Sequence, residues 1–304
     1  MTALDMAGLD VSQLRALHAL LTERSVSGAA ARLGRSQPTL SNSLARLRRH
    51  FGNELLSRSG NHYVLTPFAQ QLLILTDAAV AAVDRVFAAE ADFEPRNTTR
   101  EYTVVSSDHG ISVVGGPLVT RILQHAPEAR LRFVPVTPAV IGREADFYRT
   151  VDGVFMPDGY LGLPRRLEIY EDRWVCVVAS DNPRVAEHLT MQDLNELPWV
   201  TAFLDPFGKV PPWRQMELLG VVPRVCAAAG SFLAIPRLLK GTAAIALLQS
   251  RVADIAAAGP EFRILECPFD PVPLVESFWW HPVHDDDPAH QWLRRQLAEL
   301  SQEL

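Results

Sequence analysis

From Ser27 to Leu47 the chain writes two short helices with almost no room between them, and few folds accept that spacing. Ser27 is placed to cap a helix running through Leu33. Gly34 suits the turn that follows, where a positive φ is often required. Ser36 can cap the next helix, with Pro38 tolerated in its first turn and Leu40, Leu44 and Leu47 on one face. Leu14, Leu17, Leu20 and Leu21 repeat at helical spacing just upstream. Helix, four-residue turn, helix is the pattern of a helix-turn-helix. With Leu40 facing inward, the outer face of the second helix carries Pro38, Ser41, Asn42, Ala45 and Arg49, flanked by Arg46 and Arg48. Short polar side chains allow close approach to base edges, and arginine can hold phosphate.

Charge supports that reading. Eight arginines and no lysine against four acids give residues 1–66 a net of +4, which leaves −10 for the remainder of a chain whose total is −6. A basic head on an acidic body implies a polyanionic partner for the head alone. After the second helix, strand-like pieces flank Ser59-Gly60-Asn61, a small wing with Arg58 at its edge. Thr66 and Pro67 then read as the cap and first residue of a long helix. No glycine or proline interrupts Phe68 to Phe93, and Phe68, Leu72, Leu75, Ala79, Ala82, Val83 and Val86 form an apolar stripe. Such a helix, about 39 Å long at 1.5 Å per residue, suits pairing with its copy. Pro95 ends it, and residues 96–100 read as a polar hinge.

The remaining residues alternate strand and helix patterns. Strands are expected near Tyr102–Val105, Leu131–Val136, Val151–Phe155, Trp174–Val178, Trp199-Val200, Val221–Val225, Ile245–Leu248 and Leu274–Trp279, with a last helix over Pro288–Leu300. This predicts an α/β fold of mainly parallel sheets, arranged as two lobes with a cleft between them. The expected divisions are a head at 1–66, a linker helix at 67–95 and a body at 96–304. Within the body, one lobe takes 102–165 with 268–304, and the other 166–267.

Several function classes fall away. No run of about 18 apolar residues occurs, and the first residues carry no positively charged or apolar leader, so neither secretion nor a membrane partner is expected. Three scattered cysteines, Cys176, Cys226 and Cys267, make no disulfide framework and fit a reducing cytoplasm. Ser106, Ser107, Asp108 and His109 offer nucleophile and base types, but neighbours in sequence do not form a triad by adjacency. His281, His284 and Asp285–Asp287 could imitate a metal site; the preferred reading is a polar loop in which Asp287 caps the last helix. No catalytic residue, metal or cofactor is expected.

The ordered set Gly28-Ala29-Ala30-Ala31-Arg32-Leu33, Ser36-Gln37-Pro38-Thr39-Leu40-Ser41, Leu44, Leu47, Phe51-Gly52, Leu55-Leu56, Arg58 and Leu65-Thr66-Pro67 resembles the N-terminal domain of LysR-type transcriptional regulators. Asp193-Leu194, Leu197-Pro198, Ser231-Phe232 and Ile235-Pro236 extend the resemblance. Ser107-Asp108-His109-Gly110 and Asp287–Leu293 point to the branch of nodulation and aromatic-degradation regulators.

The resemblance implies a winged helix-turn-helix, a linker helix that dimerises, and a C-terminal body similar to periplasmic binding proteins. It implies a homodimer or homotetramer with two partners, double-stranded promoter DNA and a small-molecule inducer. The residues expected at DNA are Arg32, Ser36, Gln37, Pro38, Thr39, Ser41, Asn42, Arg46 and Arg58. Those expected at the inducer, which the aromatic side chains suit to an apolar or aromatic compound, are Ser107, His109, Thr137, Thr201, Phe203, Ser231 and Phe232. The alternative is a two-lobed enzyme fused to a DNA-binding head.

Overall fold

The computed structural model describes residues 10–59, 62–87, 93–136, 147–202 and 211–304. They divide into two compact units, 10–87 with 147–150 in one and the rest in the other.

In the first unit, α1 (Val11–Glu23), α2 (Val26–Arg32) and α3 (Gln37–Phe51) pack around Leu17, Leu20, Leu21, Leu40, Leu44 and Leu47. The Leu stripe of α3 is thus buried as its spacing predicts. Gly34 has φ +61°, as its turn requires. The cap of α2 differs from expectation: Ser25 accepts from the Gly28 N–H at 3.2 Å, while Ser27 lies inside the helix. Strands β1 (Leu56–Ser59) and β2 (His62–Leu65) pair antiparallel as the wing. Apart from Ser59, its expected turn lies outside the described residues. Arg48 anchors the wing by donating to the backbone carbonyls of Glu54 and Leu56 at 2.8 and 3.1 Å. Thr66 caps α4 (Pro67–Phe87), its hydroxyl accepting from the Ala69 N–H. One side of α4 lies on α1, with His18 Nε2 2.8 Å from Asp77 Oδ1 and Arg15 paired to Asp84.

The second unit holds two mixed five-stranded sheets, not the mainly parallel ones expected. The first has order β4-β3-β5-β12-β6, with β3 Glu101–Ser106, β4 Arg130–Pro135, β5 Gly153–Pro157, β6 Arg165–Asp172 and β12 Leu274–Trp280. The second has order β11-β7-β10-β8-β9, with β7 Trp174–Ala179, β8 Pro198–Ala202, β9 Arg224–Ala229, β10 Ile245–Gln249 and β11 Phe262–Leu265. The antiparallel share comes from the crossings: β12 returns between β5 and β6, and β7 runs between β10 and β11. Because β6 pairs with β12 through Asp172, the chain leaves the first sheet at Arg173, not at the boundary of 166 that the sequence suggested. Val221 and Val222 precede β9 instead of forming part of it.

Alternation places the core. In β7, Val175 and Val177 join Phe232, Ile235, Ala246 and Leu248 on one face, while Trp174, Cys176 and Val178 join Trp199, Ile245 and Leu247 on the other. A strand buried on both faces reads as an unbroken apolar run, as β7 and Ile245–Leu248 of β10 do. The Pro288–Ser301 helix buries Trp292, Leu293, Leu297 and Leu300. Among the described residues no helix is long and apolar enough to cross a membrane.

Candidate functional site

The head presents one polar face. Ser36 caps α3, its Oγ accepting from the Thr39 N–H at 3.4 Å and lying 2.7 Å from Thr39 Oγ1. Gln37, Pro38, Thr39, Ser41, Asn42 and Arg46 are all exposed while Leu40, Ser43, Leu44 and Leu47 are buried, so the helix shows solvent its small, polar and basic residues. Arg58 is exposed on the wing. Arg32 pairs with Glu23 at 3.1 Å; both side chains are exposed, so the pair holds the guanidinium only weakly. No acid stands in the first turn of α3, so this end of the helix favours an anion.

In the body, the end of β3 feeds directly into a helix, and the two sheets meet there. Ser107 caps this helix, its Oγ accepting from the Gly110 N–H at 3.3 Å. The run opens over Asp108–Gly110, passes through a π turn at Ile111–Gly115 and continues over Gly116–His125. Asp108 reaches across to the turn that follows β9 in the second sheet. Its carboxylate accepts from Ser231 Oγ at 2.6 Å, the Phe232 N–H at 3.2 Å and the Leu233 N–H at 2.9 Å. His109 is buried, with Nε2 3.1 Å from the Tyr170 hydroxyl and 3.4 Å from Asp172 Oδ2, and its ring lies 6.3 Å from that of Phe232. Asp172 in turn accepts from Ser250 Oγ at 2.6 Å. Burial alone would raise the Asp172 carboxyl; hydrogen bonds from His109 and Ser250 outweigh it and hold the group below its ordinary range.

Of the residues expected at the inducer, the structure therefore gathers Ser107, His109, Ser231 and Phe232 around Asp108. Phe232 also packs its ring into the apolar cluster of the second sheet. Thr201 stands on β8 and donates to the Ala202 carbonyl at 3.2 Å. Thr137 and Phe203 lie outside the described residues. Sequence reasoning missed Tyr170, Asp172 and Glu276. Glu276 is fully enclosed in β12, and burial, with Asp172 and Asp158 nearby, pushes its carboxyl up to about 8. The one available signal was a single carboxylate inside Leu274-Val275-Glu276-Ser277-Phe278-Trp279, an otherwise apolar strand bar Ser277.

Two other clusters resolve into structure. Asp287 caps the last helix as expected, accepting from the Ala289 and His290 N–H groups. Asp152, His284 and His290 bring donor atoms within 4.8 Å of one another. Arg100 binds Asp152 at 2.6 Å and Arg294 lies 2.9 Å from His290 Nδ1, so two guanidiniums already stand where a cation would need to approach. Arg100 also holds Asp287 at 2.7 Å. It is a half-buried cross-brace instead of part of a polar hinge. Burial lowers its basicity, but the two carboxylates outweigh that and raise it. Cys176 lies 3.7 Å from Cys267, and that contact, with burial, raises its thiol well above the usual range, which makes it a poor nucleophile.

Residues 11–70 match the bacterial regulatory helix-turn-helix domain of the lysR family, and residues 97–302 match the LysR substrate binding domain. Nodulation protein D 1 of Rhizobium meliloti (strain 1021) is 30% identical over 300 residues, covering 96% of this chain and 95% of that protein. Among solved structures, a probable transcriptional regulator, PA0477 of Pseudomonas aeruginosa, superposes with a TM-score of 0.71 at 26% identity, covering 96% of this chain and 97% of that one. Full-length CbnR in complex with its target DNA gives 0.66 at 19% identity, over 96% of this chain and 100% of that chain. With an exposed polar recognition face on the head and a two-sheet body knitted at Asp108, the chain belongs to the LysR family of transcription regulators.

Proposed function

We propose that this regulator reads promoter DNA through α3 and the wing, and that an inducer held where the two sheets meet changes how it does so. The head would be residues 1–66, the linker helix 67–95 and the body 96–304, acting in the cytoplasm as a dimer or a pair of dimers. Gln37, Pro38, Thr39, Ser41 and Asn42 face base edges, Ser36 caps the helix that carries them, and Arg32, Arg46 and Arg58 hold phosphate. One observation carries this: every one of those side chains is exposed on a head that buries Leu17, Leu20, Leu21, Leu40, Leu44 and Leu47. Ser107, His109, Ser231 and Phe232 border the inducer site, with Thr137, Thr201 and Phe203 assigned to it from their places after strands. A ligand there can move the heads only if it binds two arrangements of the body unequally. The test is selection of bound duplexes from a random pool by the full-length protein, followed by affinities across a salt series. An enriched two-part motif, lost on Asn42→Ala with Arg46→Ala, is the expected result; no enrichment over random DNA sinks the reading.

A further inference from the structure

We propose that Glu276 is the polar anchor of an inducer site in the body, and that it takes the hydroxyl of an uncharged alcohol or phenol instead of the carboxylate of an anion. The inference rests on the reading of the body as the inducer-binding unit. Glu276 is 1% exposed, and neither carboxyl oxygen has a hydrogen-bond partner among the described residues. Buried polar atoms are nearly always paired, so an orphaned carboxyl asks for a partner. The register of β12 against β6 shifts between Glu276 and Ser277, an irregularity of the kind that re-aims a side chain. A methyl placed at Gly110 would clash with Ser106 Oγ and lie 3.8 Å from Glu276 Oε1, so only glycine lets the start of the helix sit this close to Ser106 and the carboxyl. His109 Nδ1 stands 3.9 Å from Oε2, beyond hydrogen-bond reach. The Tyr160 hydroxyl is likewise buried without a partner among the described residues.

The surroundings select the ligand. Asp158 and Asp172 bear on Glu276, Tyr160 and Tyr170 stand close to it, and Arg214 bears on Tyr160. With burial these acids favour the protonated carboxyl at neutral pH. A carboxylic acid donates one hydrogen bond and accepts another, as a hydroxyl does, so the two pair without leaving charge behind. A second carboxylate would meet Asp158 and Asp172; of the cations nearby, Arg166 is paired to Asp158, Arg251 lies over the Tyr170 ring, and Arg214 bears on Tyr160. The N–H groups of Phe232 and Leu233, which could seat an anion, are taken by Asp108.

Three probes on one skeleton decide it: 4-ethylphenol, 4-ethylbenzoate and 4-ethylbenzylamine, titrated at pH 7 into the full chain and into its Glu276→Gln and Glu276→Leu variants. The phenol should bind the wild type. Its Kd should rise roughly tenfold in Glu276→Leu, the loss expected when a buried hydrogen-bonding partner is removed, and stay within about threefold in Glu276→Gln, whose amide also donates and accepts. Should Glu276→Leu fail to fold, the infrared carbonyl band of the buried acid, identified as the band missing from Glu276→Gln, must move when the phenol is added to wild type. Phenol binding that ignores residue 276, an unmoved band, or tighter binding of the benzoate or benzylamine overturns the proposal. Probe-free DNA affinity is measured alongside: its loss in wild type would count against the regulator reading, while its retention with no Glu276-dependent binding overturns the anchor alone.

Discussion

Asn42 and Arg46 lie one turn apart on α3, both exposed, and should behave differently at a duplex. Asn42→Ala is expected to cost about 1–3 kcal/mol at the preferred site and little elsewhere, flattening sequence preference. Arg46→Ala should weaken every sequence alike and reduce the salt slope by about one, as a lost phosphate contact does. Titration of binding to matched and mismatched duplexes over a salt range separates the two. In the body, Glu276→Gln carries a pH signature. The ordinary carboxyl value is 4.5 and the folded one about 8. Below 4.5 both states hold the proton; from there to about 8 only the folded state keeps it, so wild-type stability falls as pH rises. The amide has no such loss. Thermal unfolding should therefore show the gap between Glu276→Gln and wild type moving in the variant's favour from pH 5.5 to 8.5, and an unchanged gap would mean that Glu276 is ionised in the fold. That His109, Ser231 and Phe232 lie near one another could be read from the sequence, because each follows a strand end. Glu276 and Asp172 were not legible, since a carboxylate within a strand pattern reads as an outward residue until the register with its neighbours turns it inward.

On α4 the apolar stripe is not consumed by the head. Leu75 is 55% exposed, Val86 71% and Phe87 77%, while the opposite side packs on α1. Leu75→Glu should leave the head folded by circular dichroism, yet yield monomers by light scattering and lose binding to a two-half-site operator, because a buried unpaired charge at a dimer seam is costly. A dimer of unchanged stability would put the seam elsewhere. The caps and apolar runs of the elements were legible with local errors. Ser25 caps α2 in place of Ser27, since two serines two apart offer the same hydroxyl and only the helix start distinguishes them. Strands β6 and β11 escaped notice: both are sheet edges, and β6 mixes Arg165, Arg166, Glu168 and Glu171 with its apolar residues, as edge strands do to discourage stray pairing. The mixed direction of the sheets could not be read from alternating strand and helix patterns, which say nothing of which strand a returning chain slips between.

For the whole body, Asp108 is the tie to test. Asp108→Ala removes three hydrogen bonds between the helix after β3 and residues 231–233. The expected cost is about 1–3 kcal/mol in urea unfolding, with faster hydrogen exchange at Phe232 and Leu233. Unaltered exchange at those amides would show that the tie is not what holds the sheets together. The return of β12 has a consequence for synthesis. That strand lies between β5 and β6, so until Leu274–Trp280 has left the ribosome nothing joins β6 to the rest of the first sheet, while every strand of the second sheet has already been made by Leu265. Domains generally consolidate as units during translation. The second-sheet region should thus resist protease in a nascent chain stalled with residue 270 just outside the exit tunnel, and β3 to β6, though made first, should stay open to cleavage until the very end of the chain emerges.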